Sequence, residues 1–148
     1  MSLGSTIEES FNRSFQLYQD LVEKIDETAL GSKLDSIPSN TLGEQLWCVV
    51  GARESFSQAI VANEWAGFSC SLDTTTDKDD VADALSRSSE AVLETLKSIE
   101  HFSEVQNRLI VDLLEHEAAH HGQLIRYIYG LKLPIPESWK SKYALKSS

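Results

Sequence analysis

The chain has 148 residues, with 13 basic and 23 acidic side chains and a formal charge of −10. A surface of that sign repels nucleic-acid phosphate and anionic lipid, so neither is expected as a broad-contact partner. An apolar fraction of 41% with 24% charged residues is ordinary for a folded domain, and no apolar run nears the roughly 18 residues that a membrane span requires.

Residues 1–148 are the length of a single domain, long enough to bury about two-thirds of the unfolded chain's surface. The opening MSLGSTIEES lacks the basic and apolar regions of a signal peptide, so the cytoplasm is the expected compartment. Cys48 and Cys70 are the two thiols, far apart and outside any CxxC pair, and a disulfide framework is not expected.

Apolar spacing is helical almost throughout. Ile7, Phe11, Phe15, Tyr18, Val22 and Ile25 recur at steps of three and four, which predicts a helix over residues 5–30. Gly31 and the SIPSN stretch around Pro38 end it, and the first three residues are given no structural weight. A second helix is predicted over 41–63, with Leu46, Val49, Val50, Phe56 and Ile60 on its apolar face. Thr41-Leu42-Gly43-Glu44 opens it as a capping box, in which hydroxyl and carboxylate satisfy free backbone N–H groups. That structural role for Glu44 competes with any catalytic one. Residues 64–77 form a loop rich in Ser, Thr and Asp. A third helix follows over 78–100, with Val81, Leu85, Val92, Leu96 and Ile99 as its stripe. The fourth, over 103–129, runs through Val105, Leu109, Leu113, Leu124 and Tyr127 to Leu131. Gly130 is its expected C-cap, with Pro134 and Pro136 preventing continuation. The tail PESWKSKYAL suits one further short turn. With no strand pattern and no internal repeat, four long helices predict an all-α four-helix bundle with a short C-terminal tail.

Three of the four histidines lie in HEAAHHGQL, residues 116–124. His116 and His120 extend the inward stripe of the fourth helix, four residues apart, a spacing that lets two imidazoles share one ion. The competing role is that of two core histidines, each needing its own hydrogen-bond partner. His121 is about 100° further round the helix and is not expected to join them. His101 is expected in an exposed loop. The letters also fit H-E-x-x-H, the zinc-peptidase signature. That reading is disfavoured, because no third histidine follows and Glu117 should point away from the His116/His120 face. Glu117 is expected as a surface carboxylate or as one supporting the ligands from behind.

His116, His120, Gly122 and Gln123 give the frame H-x-x-x-H-x-G-Q, which resembles the DinB-like (DinB/YfiT) superfamily of stress-associated bacterial metal-binding bundles. His121 stands where that family usually has Arg, and the exit GLKLPIPESW is also similar to how such chains leave their fourth helix. A second landmark is a Ser or Thr after a short Pro-containing loop, with a His seven residues later. Thr41 after SIPSN fills the first place, and Cys48 stands at the second. The similarity spans nearly the whole chain in layout, with two short motifs as its specific content.

The resemblance implies a divalent metal, zinc or nickel, in the bundle core, with Cys48, His116 and His120 at the three ligand positions. Cys48 replaces a histidine there with the other good soft ligand. Two roles for Cys48 stay open: a thiolate completing a Cys–His–His site, or a buried free thiol beside a degenerate or empty one. The resemblance further implies a homodimer and a transferase acting on a small-molecule substrate with a low-molecular-weight thiol, activated as its thiolate on the metal. A protein thiolate donates charge to the metal and weakens it as a Lewis acid, so a non-catalytic, stress-associated bundle is the alternative. Trp47, Trp65 and Trp139 are candidates for an association surface, and the loops at 31–40 and 64–77 carry no recognisable binding motif.

Overall fold

The computed structural model of the chain describes residues 2–147. Its elements are α1 (Leu3–Lys24), a 3₁₀ turn (Glu27–Gly31), α2 (Leu42–Ala62), α3 (Lys78–Ser98), α4 (Glu104–Gly130) and α5 (Glu137–Tyr143). The protein is all-α, with no strand among the described residues. α2 packs broadly against both α3 and α4, α1 lies on α3 and more lightly on α4, and α5 returns to α1.

Local chemistry explains most helix ends. Thr41 Oγ1 accepts from Glu44 N at 3.0 Å and Thr41 N donates to Glu44 Oε1 at 3.0 Å, so the capping box is formed. The donating Thr41 backbone also holds the Glu44 carboxyl below the usual range. Ser103 and Gln106 form a second capping box at α4, and Asn63 ends α2 in the left-handed conformation at φ 60°. Ser2 caps α1 by accepting from Ser5 N, so a residue given no structural weight does set a helix start.

Three expectations about helix ends and faces are corrected. The first helix stops at Lys24 rather than near residue 30. Lys78, from the start of α3, donates to the carbonyls of Glu23 at 3.0 Å and Ile25 at 2.7 Å, and this closes the helix end. The chain then turns so that Ile25 and Leu30 both reach the core. Gly130 is the last residue of α4 rather than its cap. Leu131 takes that place and Lys132 adopts the positive φ of 55°. A Cβ at 130 would come within 2.5 Å of Leu34 Cδ2, so any larger residue there requires the end of that side chain to shift. Val105, assigned to the inward stripe, is 48% exposed.

The core has two apolar halves. One gathers Tyr18, Leu21, Leu46, Val49, Leu85, Leu124 and Trp139, and the other Phe11, Phe15, Ala52, Ile60, Val92 and Leu113. Between them lies the fully buried guanidinium of Arg53, 4.5 Å from the centre of the Phe15 ring and 5.1 Å from that of Tyr18. Trp139, a candidate for an association surface, is instead completely buried and donates Nε1–H to the Leu17 carbonyl at 2.7 Å. Its one polar atom is thereby satisfied, as a buried indole requires. Among the described residues, no helix is long and apolar enough to cross a membrane.

Candidate metal centre and the polar network behind it

The central turns of α2 and α4 face each other, and three soft or borderline donors meet there. One ligand atom each from Cys48, His116 and His120 lies within 4.8 Å of the other two. The imidazoles of His116 and His120 sit with centroids 4.5 Å apart, as i, i+4 spacing on one helix face dictates. Cys48 Sγ is 3.7 Å from His116 Nε2, a weak thiol contact. Cys48 and His116 are half-buried, so the cluster lies near the protein surface.

Each ring nitrogen can be followed to its partner. His120 Nδ1 is 2.8 Å from Gln45 Oε1, and an amide oxygen only accepts, so Nδ1 carries the proton. The Gln45 amide is oriented in turn by donating Nε2–H to Asn40 Oδ1 at 2.7 Å, while Tyr127 donates its hydroxyl to the same oxygen at 2.9 Å. This chain leaves His120 Nε2 unprotonated, with its lone pair free for a ligand bond. A partner that fixes the tautomer from behind is what metal-bound histidines characteristically have. His116 Nδ1 is buried with no hydrogen-bond partner. Buried polar atoms rarely go unpaired, and an orphaned imidazole nitrogen beside a thiol and a second imidazole suits a soft cation. The donor set therefore fits a divalent metal of the zinc type.

Burial acts on the cluster in one direction, toward neutrality. Desolvation lowers the pKa of His116, and together with the neighbouring His116 it takes that of His120 down to about 4. The same desolvation raises the Cys48 thiol above its ordinary value. Both imidazoles are thus uncharged at neutral pH, while Cys48 holds its proton.

The next residue round α4 in each case belongs to a different structure. Glu117, expected at the surface or behind the metal ligands, is fully buried and paired with Arg53. Arg53 Nε donates to Oε2 at 2.9 Å and Nη2 to Oε1 at 3.0 Å, a bidentate arrangement. Arg53 Nη1 reaches the Leu85 carbonyl and Ser89 Oγ at 3.0 Å each. Ser14 Oγ is 2.6 Å from Glu117 Oε1 and 2.8 Å from His121 Nε2, and His121 Nδ1 is 2.7 Å from Tyr143 Oη. His121 lies outside the metal cluster and packs against Tyr18 and Trp139. Burial takes its pKa to about 4 as well. His101 is exposed in the turn before α4.

This network was missed in the sequence because Arg53 reads as an ordinary helix charge, and its partners lie 32 to 64 positions away. It also removes Glu117 from peptidase chemistry. Its carboxylate is engaged with Arg53 and Ser14, and the H-E-x-x-H match has no available base. The frame within HEAAHHGQL that faces Cys48 is His116 and His120, and the second frame is Glu117 and His121. No protein-family model matches the chain, and no curated protein matches it significantly.

Proposed function

We propose that this chain is a single-domain, DinB-like four-helix bundle that binds one divalent metal, zinc or nickel, through Cys48, His116 and His120. The observation that carries the reading is the convergence of the three donor atoms to within 4.8 Å. The Asn40–Gln45–His120 chain supports it by presenting one imidazole lone pair in a fixed tautomer. Three protein ligands leave a position for a small molecule, and the bound ion would supply Lewis-acid activation of a low-molecular-weight thiol. The protein's own part is to hold the two imidazoles neutral, orient His120 through Gln45 and give up the Cys48 proton.

The test is metal titration of the purified protein against a chelator of known affinity, with cobalt as a spectroscopic stand-in for zinc. One ion should bind per chain, with a thiolate-to-cobalt charge-transfer band that Cys48→Ser removes. His120→Ala should abolish stoichiometric binding, whereas Cys48→His should retain it. Because Cys48 starts as a thiol, zinc binding should release one proton, read by calorimetry in buffers of different ionisation enthalpy. Absence of stoichiometric binding to the wild type would sink the metal reading. If cobalt binds but added thiol leaves its spectrum unchanged, the transferase reading fails and the metal site stands.

A second reading is a non-catalytic bundle with a decayed site. The specific observation in its favour is that Cys48, where the family pattern places histidine, keeps its proton at neutral pH.

A further inference from the structure

Behind the metal centre, on the side of α4 that faces α1 and α5, a cavity of about 190 Å³ opens to solvent. At liquid density that is room for about six waters. Its back wall is the network just described, and its sides are the apolar surfaces of Leu17, Leu114 and Ala118. Two exposed cations, Arg13 and Lys142, stand along it. Lys142 Nζ lies 5.9 Å from the centre of the Tyr143 ring. In a chain of charge −10, a cavity lined by two cations that form no ion pair among the described residues is a local reversal of sign.

The hydrogen bonds of the back wall have one consistent direction. Two oxygens 2.6 Å apart must have a proton between them, and the Glu117 carboxylate, paired with Arg53, only accepts. Ser14 therefore donates to Glu117, and its single proton is used. The 2.8 Å contact with His121 Nε2 must then be His121 donating to Ser14. His121 Nδ1 is left as an acceptor, and the 2.7 Å contact there is Tyr143 donating its hydroxyl proton. Ser14 is consequently no nucleophile, since its partner histidine has no lone pair turned toward it. Tyr143, with its proton committed inward, presents oxygen lone pairs to the cavity.

From these features we infer that the cavity is a binding site for a short 2-hydroxycarboxylate. The Arg13 guanidinium and Lys142 ammonium take the carboxylate, for which a planar guanidinium fork is well matched. The ligand's hydroxyl donates to Tyr143 Oη, and its short carbon chain lies against Leu17, Leu114 and Ala118. A single negative charge suits the site better than a dianion, because the Glu117 carboxylate forms part of the same wall. The assignment is independent of whether Cys48, His116 and His120 hold a metal.

The experiment is an NMR titration of the full chain with glycolate, acetate and inorganic phosphate, at ionic strength held constant with chloride. Glycolate should give saturable shifts at Arg13, His121 and Tyr143, and acetate should bind roughly fivefold more weakly for want of one hydrogen bond. Arg13→Gln combined with Lys142→Gln, both at exposed positions, should raise the glycolate Kd at least about tenfold through loss of charge-assisted contacts. Tyr143→Phe should erase the preference for glycolate over acetate. The inference is overturned if the glycolate shifts never saturate or match those from chloride. It is equally overturned if phosphate binds more tightly than glycolate, or if the double variant binds as the wild type does.

Discussion

Helix α4 carries two polar constellations one residue apart, and they are opposites. His116 and His120 face α2 with a buried nitrogen unpartnered and a thiol at 3.7 Å. Glu117 and His121 face α1 and the centre of the core with every polar atom engaged. A rotation of about 100° per residue separates them, so the same four letters serve two environments. The first set is poor in protein partners and near the surface, as a site awaiting a ligand would be. The second is complete without any ligand and ties α1, α2, α3 and α4 together through Arg53. The unpaired nitrogen makes the first set a candidate for a metal, whereas the second holds four helices together whether or not a ligand meets its outer edge at Tyr143.

That contrast can be broken experimentally, beginning at its most costly point. Glu117→Ala should destabilise the fold by about 3–5 kcal/mol in urea denaturation, because it leaves the Arg53 guanidinium buried and uncompensated. His116→Ala should cost about 1 kcal/mol or less, since Nδ1 has no partner and Nε2 has only a weak thiol contact. Equal losses from the two variants would erase the distinction between the regions.

Metal should sharpen the difference. Zinc at one hundred times its Kd should add about 2.7 kcal/mol to wild-type stability and nothing to His116→Ala. Gln45→Leu should lower zinc affinity about 10- to 100-fold with little change in fold, because it frees the tautomer of His120. An unchanged affinity would show that the Asn40–Gln45 chain does not prepare the ligand. In the closed region, Ser14→Ala should cost about 1–3 kcal/mol by orphaning His121 Nε2 and one Glu117 bond.

The same contrast carries a dependence on pH. His120 and His121 titrate near 4 when folded and near 6.5 when unfolded, so between those values the unfolded chain binds more protons. Stability should therefore be fully present above pH 6.5 and decline as pH falls toward 4. Urea midpoints of the metal-free protein measured across that range check the sign, and His121→Phe should flatten the curve.

How much of this was legible depended on the range of the interactions. The helix start at Thr41 could be read because its capping box lies within four residues. The pairing of His116 with His120 could be read because helical periodicity alone enforces it. The end of α1 could not, since Lys78 sets it from across the fold. Nor could the burial of Glu117, whose partner is an arginine 64 positions earlier on another helix. Arg53 was given no role at all, because burial of a guanidinium depends on a receptacle that only the assembled helices create. Cys48 was placed beside the histidines by resemblance to a family pattern, and the register of α2 on α4 puts it there.

Trp139 follows α4 in the chain, yet it fills the apolar half that contains Tyr18, Leu46 and Leu124. During synthesis the ribosome delivers the four long helices before this indole emerges. Until then the Leu17 carbonyl has its helical hydrogen bond without the added indole N–H, and His121 lacks the phenol of Tyr143. Native packing of that half must therefore be completed late, by a segment of seven helical residues. A free chain truncated after Pro136 should be more sensitive to protease than the full chain, a consequence of where a single tryptophan sits.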